Sequence, residues 1–159
     1  MPTPVATPSE TAPRSDPGVV PGRHLLLTVP ANTPAAVPTA RREVTRHLHL
    51  WGLPPDTPAA STAELAVSEL MANVVQHTEA TTAKIGLSLG SSGELVLVVH
   101  DRHPSMPHMA TDLDPDQDSG RGLWLVNRLT TESGGTLTIQ PDSDGHGKAV
   151  TITSPQTWT

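Results

Sequence analysis

A carboxylate and an amide lie four positions apart in the chain, at Glu69 and Asn73. The surrounding segment has apolar residues at helical spacing, so both side chains project from one helix face, about one turn apart. Oxygen atoms placed in this way can hold a divalent cation, or can position a nucleophile through a hydrogen bond. A solvated helix face produces the same pattern, and for the pair alone it is the more common explanation.

A third residue of interest, Asp101, stands where the apolar segment 94–101 gives way to polar sequence. That segment is typical of a strand, so its carboxylate lies at a strand end. There it can accept a hydrogen bond from an amino group, such as that of a purine. In isolation, an aspartate that begins a turn is the better explanation.

Two glycines flank an arginine in Gly120-Arg121-Gly122, which follows a long polar segment, residues 102–119. Glycines let backbone N–H groups approach an anion, and a helix N-terminus adds positive potential, so this sequence suits a phosphate. A hinge or tight packing explains a single Gly-x-Gly about as well. The long polar segment is typical of a mobile functional loop.

Helices must position these groups, and the clearest one carries Glu69 and Asn73. It begins at the capping box Ser61–Glu64 and ends near His77, with its apolar residues on one arc of the helical wheel. An earlier helix, residues 34–51, is predicted to be capped by Asn32 or Thr33 and also has one apolar face. A third helix opens at residues 120–122 and ends before residue 134.

Short apolar runs predict five strands, at residues 24–29, 84–89, 94–101, 136–140 and 148–153. The order is therefore β-α-α-β-β-loop-α-β-β. Helices and an antiparallel-rich sheet in this order pack as two layers, which predicts an α+β fold, an α/β sandwich.

Composition limits what the 159-residue chain can be. Six prolines in the first 22 residues predict a disordered tail (1–22) before one domain (23–159). A net charge of −6 argues against nucleic acid or an anionic membrane as the partner, and the lack of Cys excludes disulfides and cysteine nucleophiles. No apolar run is long enough to span a bilayer and no signal pattern is present, which favours a cytoplasmic protein.

Four segments occur together in one order: Ser68–His77, Leu97–Asp101, Gly120–Val126 and Gly147–Thr151. This combination resembles the ATP-binding domain shared by gyrase, Hsp90, bacterial histidine kinases and the mismatch-repair protein MutL, the GHKL superfamily. It is most similar to the small anti-sigma factor serine/threonine kinases of bacteria. The resemblance covers roughly residues 23–153. It implies a Bergerat-type fold, a mixed, antiparallel-rich sheet with helices covering one face.

The resemblance also implies roles for the residues that could do chemistry. Asn73 matches the Asn that coordinates Mg²⁺, and Glu69 matches the general base toward an acceptor hydroxyl. Arg41 lies where the anti-sigma kinases have an Arg implicated in catalysis and partner contact. Asp101 matches the Asp that binds the adenine amino group.

Further nucleotide contacts are implied around the phosphates and the adenine pocket. Residues 103–119 match the ATP lid, and Thr151 falls near the last conserved box, which helps to close the adenine pocket. The remaining implied contacts are Ser105, Gly120, Arg121, Gly122 and Leu123.

The sequence departs from the family pattern in two places. His103 and Ser105 replace two glycines that commonly follow the Asp, which puts nucleotide affinity and turnover in question. Lys148 stands where other branches often have Thr, and it either adds a positive charge near the phosphates or points into solvent.

The resemblance therefore implies a regulatory protein that binds ATP and Mg²⁺. Its expected activity is that of an anti-sigma factor with serine/threonine kinase activity toward a small antagonist protein. Its expected partners are a sigma factor and that anti-anti-sigma antagonist, with a homodimer through the apolar face of the first helix as a further option. The alternative is a non-catalytic protein-binding module of the same fold, with weak or no nucleotide turnover.

Overall fold

A computed structural model describes residues 19–76, 82–104 and 121–155 of the chain. Its elements, in the predicted order, are β1 Val19–Pro30, α1 Ala36–Leu50, α2 Pro58–Gln76, β2 Thr82–Gly90, β3 Leu95–Asp101, α3 Arg121–Glu132, β4 Thr136–Pro141 and β5 Lys148–Ser154. The candidate residues Ser105 and Gly120, with most of the predicted lid and tail, lie outside the described residues. None of the described helices is long and apolar enough to cross a membrane.

The strands form one five-stranded sheet in the order β1-β2-β3-β5-β4. The α+β fold is confirmed, although every pairing among these described strands is antiparallel, so this part of the sheet is not mixed. β1 begins before the predicted boundary at Arg23, because the backbone of Val19 pairs with Gly90 across a register irregularity. Side chains alternate between the two faces, and the three helices bury one of them.

One row of side chains crosses the helix-covered face near the end of β3. The cross-strand register aligns Val29, Ala83, Asp101 and Lys148 on neighbouring strands. Val29 and Ala83 belong to the apolar core, whereas Asp101 and Lys148 are the two charged side chains that the described part of the chain buries. This row places a carboxylate and an ammonium inside the molecule.

The helix that carries Glu69 and Asn73 packs its apolar arc into the core, as predicted. Val67, Leu70 and Met71 are at most 2% exposed. The predicted capping box is wrong, because α2 begins at Pro58 and Ser61 lies inside the helix, where its hydroxyl donates to the Pro55 carbonyl. Proline suits a first helical position because that residue needs no N–H partner there, and this explains the earlier start.

The first helix also begins differently from the prediction. Its N-cap is Ala35, which makes no side-chain cap, and the turn before it is closed by backbone bonds to the Thr33 and Pro34 carbonyls. The predicted caps Asn32 and Thr33 are therefore wrong. The apolar face of α1 is buried in the core at Ala36, Ala40, Val44 and Leu48, so it is not available as the dimer contact expected from the sequence.

Candidate functional site

The Glu69 carboxyl group lies directly against the first turn of α3. A Cβ atom added to Gly122 would overlap the carboxyl carbon, one carboxyl oxygen and Cγ of Glu69. Glycine at this position leaves open the space that the Glu69 carboxyl group occupies. Because the N-terminal end of a helix carries partial positive charge, α3 also favours a carboxylate here. The fold therefore brings the α2 carboxylate next to the described part of the glycine segment, a contact that the sequence did not predict.

Asn73 lies one helical turn beyond Glu69 and is half-buried, like Glu69 itself. Val74, on one side of it, is buried in the core, whereas Ala72, on the other side, is only partly buried. The Asn73 amide therefore lies at the edge of the packed layer. A carboxylate and an amide one turn apart provide oxygen atoms of the kind that Mg²⁺ accepts. The described residues contain no group of three or more His, Asp or Glu side chains that could hold a metal, so phosphate oxygens would have to complete the coordination of an ion here.

The second part of the site is the buried ion pair at the end of β3. Lys148 Nζ donates to Asp101 Oδ1 over 2.9 Å, and the side chains of Lys148 and Asp101 are only 5% and 4% exposed. The His103 N–H also donates to Asp101 Oδ1, over 2.8 Å, and Lys148 Nζ donates to the His103 carbonyl over 3.1 Å. Asp101 is thus a buried acceptor with an internal counter-ion, rather than a surface turn residue.

Of the two alternatives that the sequence left for Lys148, the one in which it points into solvent is wrong, whereas a positive charge near the phosphates stays a prediction. Its ammonium does not point into solvent, and its described contacts are with Asp101 and His103. The contact could not be found from the sequence because it depends on the register of β3 against β5, which joins residues 47 positions apart. The alternation of apolar residues in β5, with Lys148 in phase with Val150 and Ile152, was the available signal.

Thr151 lies on the other face of the sheet from Asp101. Along β5, Lys148, Val150 and Ile152 are buried while Thr151 alternates with them, and Thr151 pairs with Val98 rather than with Asp101. The structure therefore does not bring Thr151 to the pocket where the sequence placed it. The position facing Asp101 belongs to Lys148.

The other described candidates are spread around this centre. Leu123 is 1% exposed and belongs to the core, so any ligand contact there would have to come from its backbone. Arg121 is exposed at the start of α3. Arg41 lines a groove of about 530 Å³ together with other residues of α1 and with Glu64 of α2, and Glu69 is not among the residues that line it.

A charged network on the opposite side of the β3 end fixes the turn between β4 and β5. His100 Nε2 lies 2.9 Å from Asp142, and Arg102 bonds both Asp142 and Asp144. The His100 contact, followed by that of Arg102, lowers the pKa of Asp142. The Arg102 hydrogen bond, helped by the His146 N–H, lowers the pKa of Asp144 from 3.8 to about 2.

Gly147 shows how closely this turn approaches the strand that carries Asp101. A Cβ atom at Gly147 would overlap the Asp142 carboxylate and crowd the Asp101 carbonyl. The segment just before Lys148 therefore lies against the backbone of Asp101 and Arg102. Sequence reasoning assigned no role to the charged network, because its members are separated by about 40 positions in the chain.

The fold and this arrangement define an ATPase-type nucleotide-binding domain: the chain belongs to the family of histidine kinase-like ATPase domains, whose model matches residues 30–154. A solved structure with the same fold contains the RsbU and RsbW domains of Rv1364c from Mycobacterium tuberculosis. It aligns with a TM-score of 0.57 and 20% identity, over 86% of this chain and 34% of that one. The histidine kinase domain of the blue-light activated histidine kinase from Erythrobacter litoralis EL346 aligns with a TM-score of 0.48 and 22% identity.

These likenesses differ in extent. The Erythrobacter alignment covers 79% of this chain and 61% of that one, so in both cases this chain spans less than two thirds of the other protein. No curated protein matches the chain. At 20% identity the Mycobacterium structure supports the fold alone, and the family model supports the class.

ATP is the nucleotide that family membership implies, and the described residues fit it at the purine end. Both hydrogen bonds that Asp101 accepts from described residues go to Oδ1, which leaves Oδ2 for a ligand amino group. At the other end, Glu69 and Asn73 supply oxygen atoms beside the N-terminal turn of α3, whose positive potential suits phosphate.

Proposed function

We propose that the chain is a regulatory ATP-binding protein of the anti-sigma factor kinase type, which phosphorylates a serine or threonine of a small antagonist protein. The observation that carries this proposal is the Glu69 carboxyl group held against Gly122 at the start of α3. That contact fixes a carboxylate beside the expected phosphate position, with Asn73 one turn away. The RsbW domain in the Mycobacterium structure of the same fold supports the same class of activity.

In this mechanism each residue has one task. Glu69 accepts the proton of the acceptor hydroxyl. At the same time the hydroxyl oxygen forms a bond to the γ-phosphorus of ATP, and ADP leaves. Asn73 would hold Mg²⁺ through its amide oxygen, and the ion would offset phosphate charge. Asp101 accepts a hydrogen bond from the adenine amino group. The backbone N–H groups around Gly122 bind phosphate oxygens, so positioning supplies most of the rate.

A basic groove on α1 suits the protein partner. It is lined by Arg41, Arg42, Arg46, His49 and Leu50, together with residues of α2 and the loop before it. Leu50 is 66% exposed, and Thr45 adds a buried hydroxyl oxygen that has no hydrogen-bond partner among the described residues. Arginines around an exposed leucine favour an acidic, amphipathic segment of a sigma factor or antagonist. On this surface Arg41 contacts the partner, while its catalytic role remains a prediction.

One observation favours the alternative, a non-catalytic protein-binding module. Asp101 already has a counter-ion in Lys148, so the fold does not need a nucleotide to satisfy this carboxylate. A protein that used the α1 groove without turning over ATP would keep the same core. The two functions differ in what Glu69 does.

Substitution of Glu69 separates them. Glu69→Ala is expected to lower the rate of phosphotransfer from ATP to the antagonist about 10²–10⁴-fold, because a positioned general base is lost. ATP affinity, measured by calorimetry, should change little. Glu132→Ala is the matched control, since Glu132 is an exposed carboxylate at the far end of α3 that pairs only with Arg128 among described residues. Absence of transfer by the unmodified protein to any candidate antagonist would favour the binding module.

A further inference from the structure

Burial of the ion pair between Asp101 and Lys148 costs free energy, and the other side chains described in this row are apolar. Val29 and Ala83 continue the same row, and both belong to the core. Removing two charges from water costs several kcal/mol per ion, and well-packed apolar side chains usually stabilise such a position as well or better. The pair therefore needs an explanation beyond stability.

The ammonium of Lys148 has one donor more than its described partners use. An ammonium carries three N–H donors and no acceptor. Two of them are directed to Asp101 Oδ1 and to the His103 carbonyl. No described residue accepts the third, although the Lys148 side chain is only 5% exposed.

The carboxylate of Asp101 likewise has one oxygen atom, Oδ2, to which no described residue donates a hydrogen bond. Oδ1 receives the Lys148 ammonium and the His103 N–H. The pair thus presents one acceptor and one donor side by side. The Watson–Crick edge of adenine presents the complementary pattern, an amino donor next to the acceptor nitrogen N1.

We propose that Lys148 is a specificity-determining residue of the ATP site, whose ammonium donates a hydrogen bond to purine N1 while Asp101 accepts one from the neighbouring amino group. The inference rests on the proposed function, because it requires that the chain bind ATP. It assigns to Lys148 a direct contact with the base, at a position where other branches of the superfamily that the sequence resembles often have Thr.

The surroundings hold the two groups in fixed relation. Both backbone polar groups of His103 are engaged by the pair, and Asp101 lies directly across the β3–β5 pairing from Lys148. On the other side of the strand, Arg102 forms ion pairs with Asp142 and Asp144 of the β4–β5 turn, which hold the same stretch of backbone in place. Preorganised donors and acceptors lose less entropy on binding, so such a pair discriminates well between base edges.

The test compares ATP with 1-deaza-ATP, in which N1 is replaced by C–H, by calorimetry in the presence of Mg²⁺. The unmodified chain should bind ATP about ten- to a hundredfold more tightly, the usual effect of one hydrogen bond to a charged group. Lys148→Met should weaken ATP binding and make the two nucleotides bind equally. Lys84→Met is the matched control, because Lys84 is the only other lysine of the chain and is exposed on β2.

Several results would overturn the proposal. Equal binding of ATP and 1-deaza-ATP by the unmodified chain would do so, as would tighter ATP binding by Lys148→Met, which would show that the lysine shields the carboxylate. If Lys148→Met does not fold, the neutral double variant Asp101→Asn/Lys148→Met takes its place, with equal binding again expected. A chain that binds neither nucleotide contradicts the proposed function itself, whereas ATP binding without discrimination contradicts only the role of Lys148.

Discussion

The two ends proposed for the candidate site, a phosphate end at Glu69 and a purine end at Asp101, hold their carboxylates in different ways. At the phosphate end, Glu69 is half-buried and lies against the backbone of Gly122, where the α3 terminus provides partial charge. At the purine end, Asp101 is buried and its charge is balanced by a full ammonium. The first arrangement leaves the carboxylate available for proton transfer, whereas the second fixes it as a hydrogen-bond acceptor.

This difference predicts that the two ends respond differently to mutation. Removal of Glu69 takes away a group that helix dipoles and water had stabilised, so the fold should tolerate it. Removal of the Asp101 carboxylate leaves the buried ammonium of Lys148 without its partner, so the fold should not tolerate this change. The purine end is therefore expected to determine stability and affinity, and the phosphate end to determine rate.

The largest expected effect is on stability at the purine end. Asp101→Asn should lower the free energy of unfolding by about 3–5 kcal/mol, because an unpaired buried charge remains. Urea denaturation followed by circular dichroism measures this change. The double variant Asp101→Asn/Lys148→Met should recover most of the loss. A single variant as stable as the unmodified chain would show that the pair is solvated in solution.

The next effect is on rate at the phosphate end. Gly122→Ala should reproduce the loss of phosphotransfer expected for Glu69→Ala, because the added methyl group occupies the position of the Glu69 carboxyl group. The side chain that must move is long and flexible, so overpacking should cost stability no more than about 1–3 kcal/mol. The double variant Glu69→Ala/Gly122→Ala should lose no further activity. Additive losses would mean that Gly122 acts independently of Glu69.

The smallest expected effect is on acid stability at the β4–β5 turn. The folded chain holds the pKa of Asp144 at about 2, below its ordinary value of 3.8, so this carboxylate stabilises the fold above pH 4. That contribution is lost as the pH falls from about 4 toward 2. In this range Asp144 is protonated first in the unfolded chain and then in the folded chain as well. Asp144→Asn should therefore reduce the difference in the free energy of unfolding between pH 6 and pH 3.

Thermal unfolding across this pH range measures the effect of Asp144. The change should be small, because both Arg102 and Asp144 are about half exposed and water screens their attraction. Asp56→Asn is a suitable control, as an exposed aspartate outside the network. Equal pH profiles for Asp144→Asn and the unmodified chain would contradict the contribution assigned to this ion pair.

The order of elements could be predicted from local sequence, because apolar spacing and turn residues specify helices and strands one at a time. The boundaries of the first two helices could not. Ser61 resembles a cap in sequence, but Pro58 allows the helix to begin three positions earlier, and the serine hydroxyl then bonds to Pro55. Local patterns do not decide between two acceptable starting points.

The site shows the same limit at longer range. Glu69, Asn73 and Gly122 could be proposed from short motifs, and the packing of α2 against α3 brings Glu69 and Gly122 together. Lys148 required the strand register, since a shift of one position would have turned its side chain to the opposite face of the sheet. Non-local pairing of this kind follows from the whole fold, and no single segment of the sequence contains it.

The central claim is that this domain binds ATP with its purine at Asp101, and calorimetric titration of Mg-ATP tests it most directly. The unmodified chain should bind, and Asp101→Asn, at a temperature where it remains folded, should bind about ten- to a hundredfold more weakly. Undiminished affinity in Asp101→Asn would contradict the position of the purine. Absence of binding by the folded, unmodified chain would contradict the claim altogether.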